Sequence, residues 1–322
     1  MACVVSPWGK VNEHDKPIEK LVRDGSVSSW SGWNMNEPLY RRFAGRRLGV
    51  ATLHGKERVI GPALMRVLPL SGFNAIPDVD TDLFGTFSGE VQRTVDPLTA
   101  CIAKAKHGAE VSGLDLVIAS EGSFGPYPPA PFISCDEEIL VLYDARDGSV
   151  YSHRHVVLET VFGGELCGSI ADVIAFAGRM KFPEHHLILR AKEKWQRGDA
   201  LHKGLDDRER LRCLAEDLIA EHGSCWVETD MRAMANPTRM RVIADTAERF
   251  AREISTLCPT CGDVWFRITD AIAGLPCDLC GWPTHSVREY RRTCRTCGHY
   301  ADSVRPDGKA TEEPTHCNNC NP

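Results

Sequence analysis

Four Cys-x-x-Cys pairs crowd the last 65 residues of the chain: Cys258/Cys261, Cys277/Cys280, Cys294/Cys297 and Cys317/Cys320. Two residues between cysteines make a tight turn that aims both thiolates at one ion, and two such turns complete a tetrahedral shell. Fifteen residues separate the first pair from the second, and nineteen separate the third from the fourth. Both gaps match zinc-site spacing. The spacing predicts two four-cysteine zinc sites paired sequentially, first pair with second and third with fourth, with interleaved pairing as the alternative. Gly262, Gly281 and Gly298 follow three of the pairs, where a positive φ is wanted. Residues 257–322 hold few large apolar side chains, so metal must supply much of their folding energy. Four thiolates leave no open coordination position, which makes both ions structural rather than catalytic.

The remaining six of the 14 cysteines are scattered singly. Scattered thiols suit a reducing compartment. The N-terminus shows no charged segment followed by a long apolar core, and no run approaches the ~18 apolar residues of a membrane span. A cytoplasmic protein without membrane contact is expected. Its 322 residues suggest about two domains. Residues 1–45 read as an N-terminal extension, docked by Trp8, Trp30 and Trp33. Residues 46–256 read as an α/β domain and 257–322 as the zinc domain. The net charge is −6, and no segment is basic enough to announce nucleic acid. In the tail, Arg288, Arg291, Arg292 and Arg295 with Tyr290 and Tyr300 still offer cations and stacking faces. A protein or nucleic-acid contact through the zinc tail is therefore kept open.

Strand and helix patterns alternate from Leu48 onward. Leu48–Leu53 reads as a strand, and Pro62 as the first turn of a helix. Asp96-Pro97 opens a second helix, Leu114–Ala119 is a buried strand, and 139–158 is a hairpin. Ser169 with Asp172 caps a helix, and Leu187–Ala191 is a strand. Asp206 and Gly223 bracket a further helix, Cys225–Thr229 is a strand, and Asn236-Pro237 opens the last helix.

Four polar clusters sit among these elements: Thr52 to Glu57, Thr81 to Glu90 with Arg93, Ala119 to Pro126, and Glu228 to Arg241. In open α/β sheets ligands gather beyond the carboxyl ends of strands. His54, Lys56 and Ser123 are candidate contacts to a phosphate-bearing small molecule. Glu90 and Glu121 offer the oxygen ligands that Mg2+ prefers, and either is a candidate general base. Arg232 and Arg239 are candidate phosphate clamps, helped by free amides at the helix that Asn236 opens. The plainer alternative is that the arginines pair with Glu228 and Asp230.

Two resemblances follow from these segments. Across nearly all of residues 48–322 the chain resembles an uncharacterised bacterial family marked by FGTFSGE (84–90), ASEGSFGP (119–126), ETDMRAMANPTRM (228–240) and a terminal CxxC array. About 75 residues of the N-terminal half are also similar to the inosine triphosphate pyrophosphatase (Maf-like) superfamily. That similarity runs through Thr52-x-His54-Gly55-Lys56, Gly85-Thr86-Phe87, Lys104-Ala105 and Ser112-Gly113-Leu114 to Ser120-Glu121-Gly122. His54 replaces the usual Asn, Ala100 falls where another Asn belongs, and Ser120-Glu121 lacks the double Asp. This resemblance implies a mixed-sheet ITPase-like domain before a double zinc-ribbon-like domain. It also implies that Lys56 and Lys104 contact phosphate or base and that Glu90 and Glu121 hold Mg2+. The function so implied is a Mg2+-dependent phosphohydrolase acting on a nucleotide or related phosphate. A non-catalytic nucleotide-binding or nucleic-acid-binding zinc-ribbon protein is the alternative.

Overall fold

The computed structural model describes residues 37–52, 54–76, 95–128, 130–196 and 198–322. The tryptophans of the extension and the 81–90 cluster with Glu90 lie outside these residues.

The first sheet grows from apolar strands. β1 (Arg47–Ala51) pairs in parallel with β2 (Gly72–Ile76) and with β3 (Leu116–Tyr127). β3 turns back into β4 (Ala130–Asp144), which pairs with β5 (Ser149–Val157), both antiparallel. The order is β2-β1-β3-β4-β5, a mixed sheet. The period-2 alternation of strands sends Leu116, Ile118, Leu140 and Leu142 to one face and Val117, Ala119, Ile139 and Val141 to the other. On the first face α1 (Glu37–Phe43), α2 (Glu57–Met65) and α6 (Pro237–Ile254) bury Phe43, Ile60, Leu64, Ile243 and Phe250. On the second, α3 (Pro97–Ser112) lays down Cys101, Ala105 and Ala109. Each fully buried Leu, Ile or Phe contributes roughly 1.5–3 kcal/mol.

Helix termini follow local chemistry. Asp96 accepts from the amides of Leu98 and Thr99, and Gly113 closes α3 in the left-handed region. Asn236 Oδ1 accepts from Arg239 N at 3.0 Å. Pro62 lies inside α2 rather than in its first turn, because the helix already starts at Glu57.

The strands and helices that alternate along the chain are divided between two sheets. A second sheet of β6 (Gly164–Cys167), β9 (Cys225–Thr229), β7 (Leu187–Arg190) and β8 (Leu201–Leu205), in that order, is antiparallel throughout. Helices α4 (Ile170–Arg179) and α5 (Arg208–His222) cover one face of it with their own core, including Val173, Phe176, Leu211 and Leu218. Asp207, not Asp206, caps α5.

The tail is a three-stranded antiparallel meander of β10 (Arg267–Ala273), β11 (Val287–Thr293) and β12 (Tyr300–Val304). Its approach is anchored in the first core through Val264 and Trp265. Arg295 then reaches back to Tyr151 Oη and Ser149 Oγ, both at 2.8 Å, and stacks 4.4 Å over the Tyr151 ring. Pro38–Pro322 form one compact unit. No helix among the described residues is long and apolar enough to cross a membrane.

Candidate metal centres and a buried polar site

The eight tail cysteines converge as two groups of four: Cys258, Cys261, Cys294 and Cys297, and Cys277, Cys280, Cys317 and Cys320. The first pair joins the third and the second joins the fourth, so sequential pairing is overturned. The meander dictates this. The first pair precedes β10 and the third follows β11, and Arg267 stands opposite Thr293. The second pair lies between β10 and β11, at the other end of the sheet. The fourth follows β12, whose Val304 stands opposite Glu289 near the start of β11. Seven residues of strand span roughly 20 Å, so a sequential site would have to bridge the length of the sheet.

The donors fit a tetrahedral ion. Sulfur separations are 3.7 Å for Cys258–Cys297, 3.6 Å for Cys261–Cys294, 3.9 Å for Cys277–Cys320 and 3.7 Å for Cys280–Cys317. Four thiolates about 2.3 Å from a central zinc stand about 3.8 Å apart, whereas a disulfide would need about 2.05 Å. Gly262, Gly281 and Gly298 adopt φ near +72° and close the knuckles on Cys258, Cys277 and Cys294. Asn321 donates the matching amide bond to Cys317 at 2.8 Å.

The tail arginines are engaged within the chain. Arg291 binds Asp302 through two bonds of 2.8 Å, Arg292 donates to the Phe266 carbonyl, and Arg295 serves the docking contact.

The first sheet carries a second polar assembly. β1 ends at Ala51, opposite Ala119, while β3 runs on to Tyr127. Residues Ser120 to Pro126, beyond the strand expected over Leu114–Ala119, are therefore strand too, paired throughout with β4. Their side chains alternate between faces. Glu121 meets Lys104 of α3 in a buried ion pair. On the opposite face Ser120 accepts from Lys56 Nζ at 2.9 Å. Lys56 stands where the β1 loop enters α2, after Gly55 at φ +72°. Arg239, fully buried, crosses from α6 to Glu138 Oε1 at 2.7 Å, donates to the Met231 carbonyl and lies 5.1 Å over the Phe124 ring. Glu138 and Asp136 of β4 share this face, and both are 1% exposed.

These side chains shape one another's ionisation. Burial, reinforced by Arg239, lowers the Lys56 ammonium to about 8. Burial, then Lys56, Arg239 and Arg232, drives His54 down to about 3, so His54 is neutral at pH 7 and brings no charge to an anion. Burial and the neighbouring Glu138 raise Asp136 to about 8.

The structure thus brings His54, Lys56 and Arg239 together on one face of the sheet near the end of β1, and Lys104 with Glu121 on the other. Arg232 is fixed by Asp230, with Nη2 to Oδ2 at 2.6 Å. Ser123 lies on the Glu121 face of β3, opposite Glu137. Glu90 falls outside the described residues. The anion site expected at the start of α6 is not formed. Its amides are taken, Thr238 N by His185 and Arg239 N by Asn236, and Arg239 turns inward.

Asp136 and Glu138 escaped the sequence reading. Their signal was the i, i+2 continuation of Leu140 and Leu142 backward along β4, which places both acids on the core face. A groove of about 390 Å3 was also missed; it runs from Phe124 and Phe162 to the uncovered face of the second sheet. There Arg190 and Trp226 both donate to Glu228 Oε2, at 2.6 and 2.8 Å.

A family model described as "Domain of unknown function (DUF6671)" matches residues 104–322. The match takes in Lys104, Glu121, Asp136, Glu138, Arg239 and all eight tail cysteines. No curated protein and no solved structure matches the chain.

Proposed function

Because the chain belongs to DUF6671, a family of unknown function, its activity has to be read from its own residues, and we propose that it is a Mg2+-dependent phosphohydrolase acting on a nucleotide or related phosphate. The observation that carries this reading is Lys56. It is a buried cation with no carboxylate in ion-pair distance among the described residues and one neutral partner, Ser120. Lys104, Arg239 and Arg232 are matched by Glu121, Glu138 and Asp230. An unmatched buried ammonium is costly, and a phosphoryl oxygen repays the cost. Its place at the carboxyl end of parallel strands is where α/β sheets bind ligands.

In this reading Lys56 binds the phosphate. Lys104 fixes the Glu121 carboxylate on the other face of β3, and the proton from water reaches it around the β3 edge that β1 leaves beyond Ala119. Bound Mg2+ supplies charge for the phosphoryl oxygens. The remote resemblance to inosine triphosphate pyrophosphatases supports the same chemistry. The test is a panel of standard and modified nucleoside triphosphates with Mg2+. Turnover is expected from the native chain and none from Glu121→Gln or Lys56→Met. Equal, background-level rates from all three would reject hydrolysis.

The ion pair between Glu121 and Lys104 favours a second reading, a nucleotide sensor, because it occupies the carboxylate that hydrolysis needs free. Thermal stabilisation by the panel without turnover would select it. For the tail we propose structural zinc in both clusters, with two zinc ions per chain expected by metal analysis.

A further inference from the structure

A buried carboxylate oxygen ordinarily accepts a hydrogen bond. Two adjacent ones here accept none. Asp136 Oδ1 and Glu138 Oε2 are both buried and without a partner among the described residues. The two residues stand at i and i+2 on one face of β4, so their carboxyl groups share an environment. Phe124 and Val157 flank Asp136 on the neighbouring strands and offer no donor side chain. Arg239 satisfies Glu138 Oε1 and leaves the other oxygen over.

From this geometry we infer that Asp136 and Glu138 are the protein ligands of a hard divalent cation of the Mg2+/Mn2+ class. Such ions take oxygen ligands and use one or two carboxylates together with substrate phosphates. A dication between two carboxylates neutralises them. Arg239 and Lys56 are then left with two positive charges, which matches a phosphate dianion. The site deepens the phosphohydrolase reading and rests on it for the phosphate alone. It assigns the metal to β4, while Glu121 stays with Lys104. Gly122 stands opposite Glu138, and a side chain there would press on Glu138 Oε1.

The experiment is a Mn2+ titration of the full, zinc-loaded chain, without nucleotide, read by electron paramagnetic resonance. One Mn2+ site is expected in the native chain, weakened at least about tenfold by Asp136→Asn and by Glu138→Gln. Exposed Glu216→Gln is expected to bind as the native chain does. Asp136→Asn breaks no hydrogen bond of the described residues, so it remains informative if Glu138→Gln unfolds. If Asp136 merely packs, Asp136→Asn will bind Mn2+ like the native chain, and the inference falls. It falls equally if the native chain binds no Mn2+. Mn2+ bound at these residues with no nucleotide binding would reject the phosphate reading and leave the metal site standing. Nucleotide binding without the Mn2+ site would do the reverse.

Discussion

Gly122 lacks a side chain for a reason that its sequence context hides. A Cβ there would stand 2.7 Å from Glu138 Oε1 and collide with Arg239 Nη2. Between Glu121 and Ser123 the glycine reads as a turn residue, yet it is a strand residue making room for an ion pair from two distant segments. Lys56 was legible as a candidate, because a glycine and a lysine after an apolar strand suggest an anion site. What the sequence could not show is the burial that lowers its ammonium from 10.5 to about 8. The sign of the consequence is fixed. Between those values the unfolded chain holds more protons than the folded one, so Lys56 adds stability as pH rises from about 8 to about 10.5. Ligand binding runs the other way, since phosphate needs the charged form. Phosphate affinity is expected to fall as pH rises through about 8. Denaturation of the native chain and Lys56→Met across that range checks the first point, and calorimetry with a bound nucleotide checks the second. A stability difference that is flat with pH would contradict the assignment.

At the scale of elements, caps were the most legible features because they depend on neighbours in sequence. Asp96, Ser169 and Asn236 each accept the amides that their position predicts. Asn236 does more, since its Nδ2 also donates to the Val161 carbonyl at 3.2 Å. Asn236→Ala is expected to cost about 1–2 kcal/mol in chemical denaturation. A loss within error of zero would mean that the two bonds are replaced. The length of β3 was not legible. Ser120 to Pro126 has poor strand propensity, but β4 pairs with it residue by residue, and tertiary pairing overrides local preference. The start of α2 was misplaced for a similar reason. A proline favours a first turn, yet Pro62 is tolerated five residues into the helix.

At the scale of the molecule, pairing between distant segments decides the metal centres. With interleaved clusters, Cys277→Ser/Cys317→Ser spoils one cluster and leaves the other whole. That variant is expected to keep one zinc per chain. Cys258→Ser/Cys277→Ser takes one ligand from each cluster and is expected to keep none at full affinity. Metal analysis of the two proteins separates this pairing from the sequential one, which predicts the opposite outcomes. Stripping both ions should unfold the tail, because structural zinc contributes on the order of 10 kcal/mol. Val264 and Trp265 belong to the first core and Arg295 is bound to Tyr151, so the loss should reach the first sheet as well.

The sequence by itself determined the eight thiolates, the knuckle glycines, the helix caps and the apolar strands, because each depends on residues a few positions apart. It also named Lys56, Glu121 and Arg239, whose types and neighbours mark them out, and Lys104 through a family resemblance. Only the tertiary structure decided which four cysteines converge, because antiparallel strands bring alternate pairs to the same end of the sheet. It also decided that β4 contributes Asp136 and Glu138 beside Lys56 and Arg239. Strand register sets which face an acid occupies, and no short window of sequence contains the partner strand.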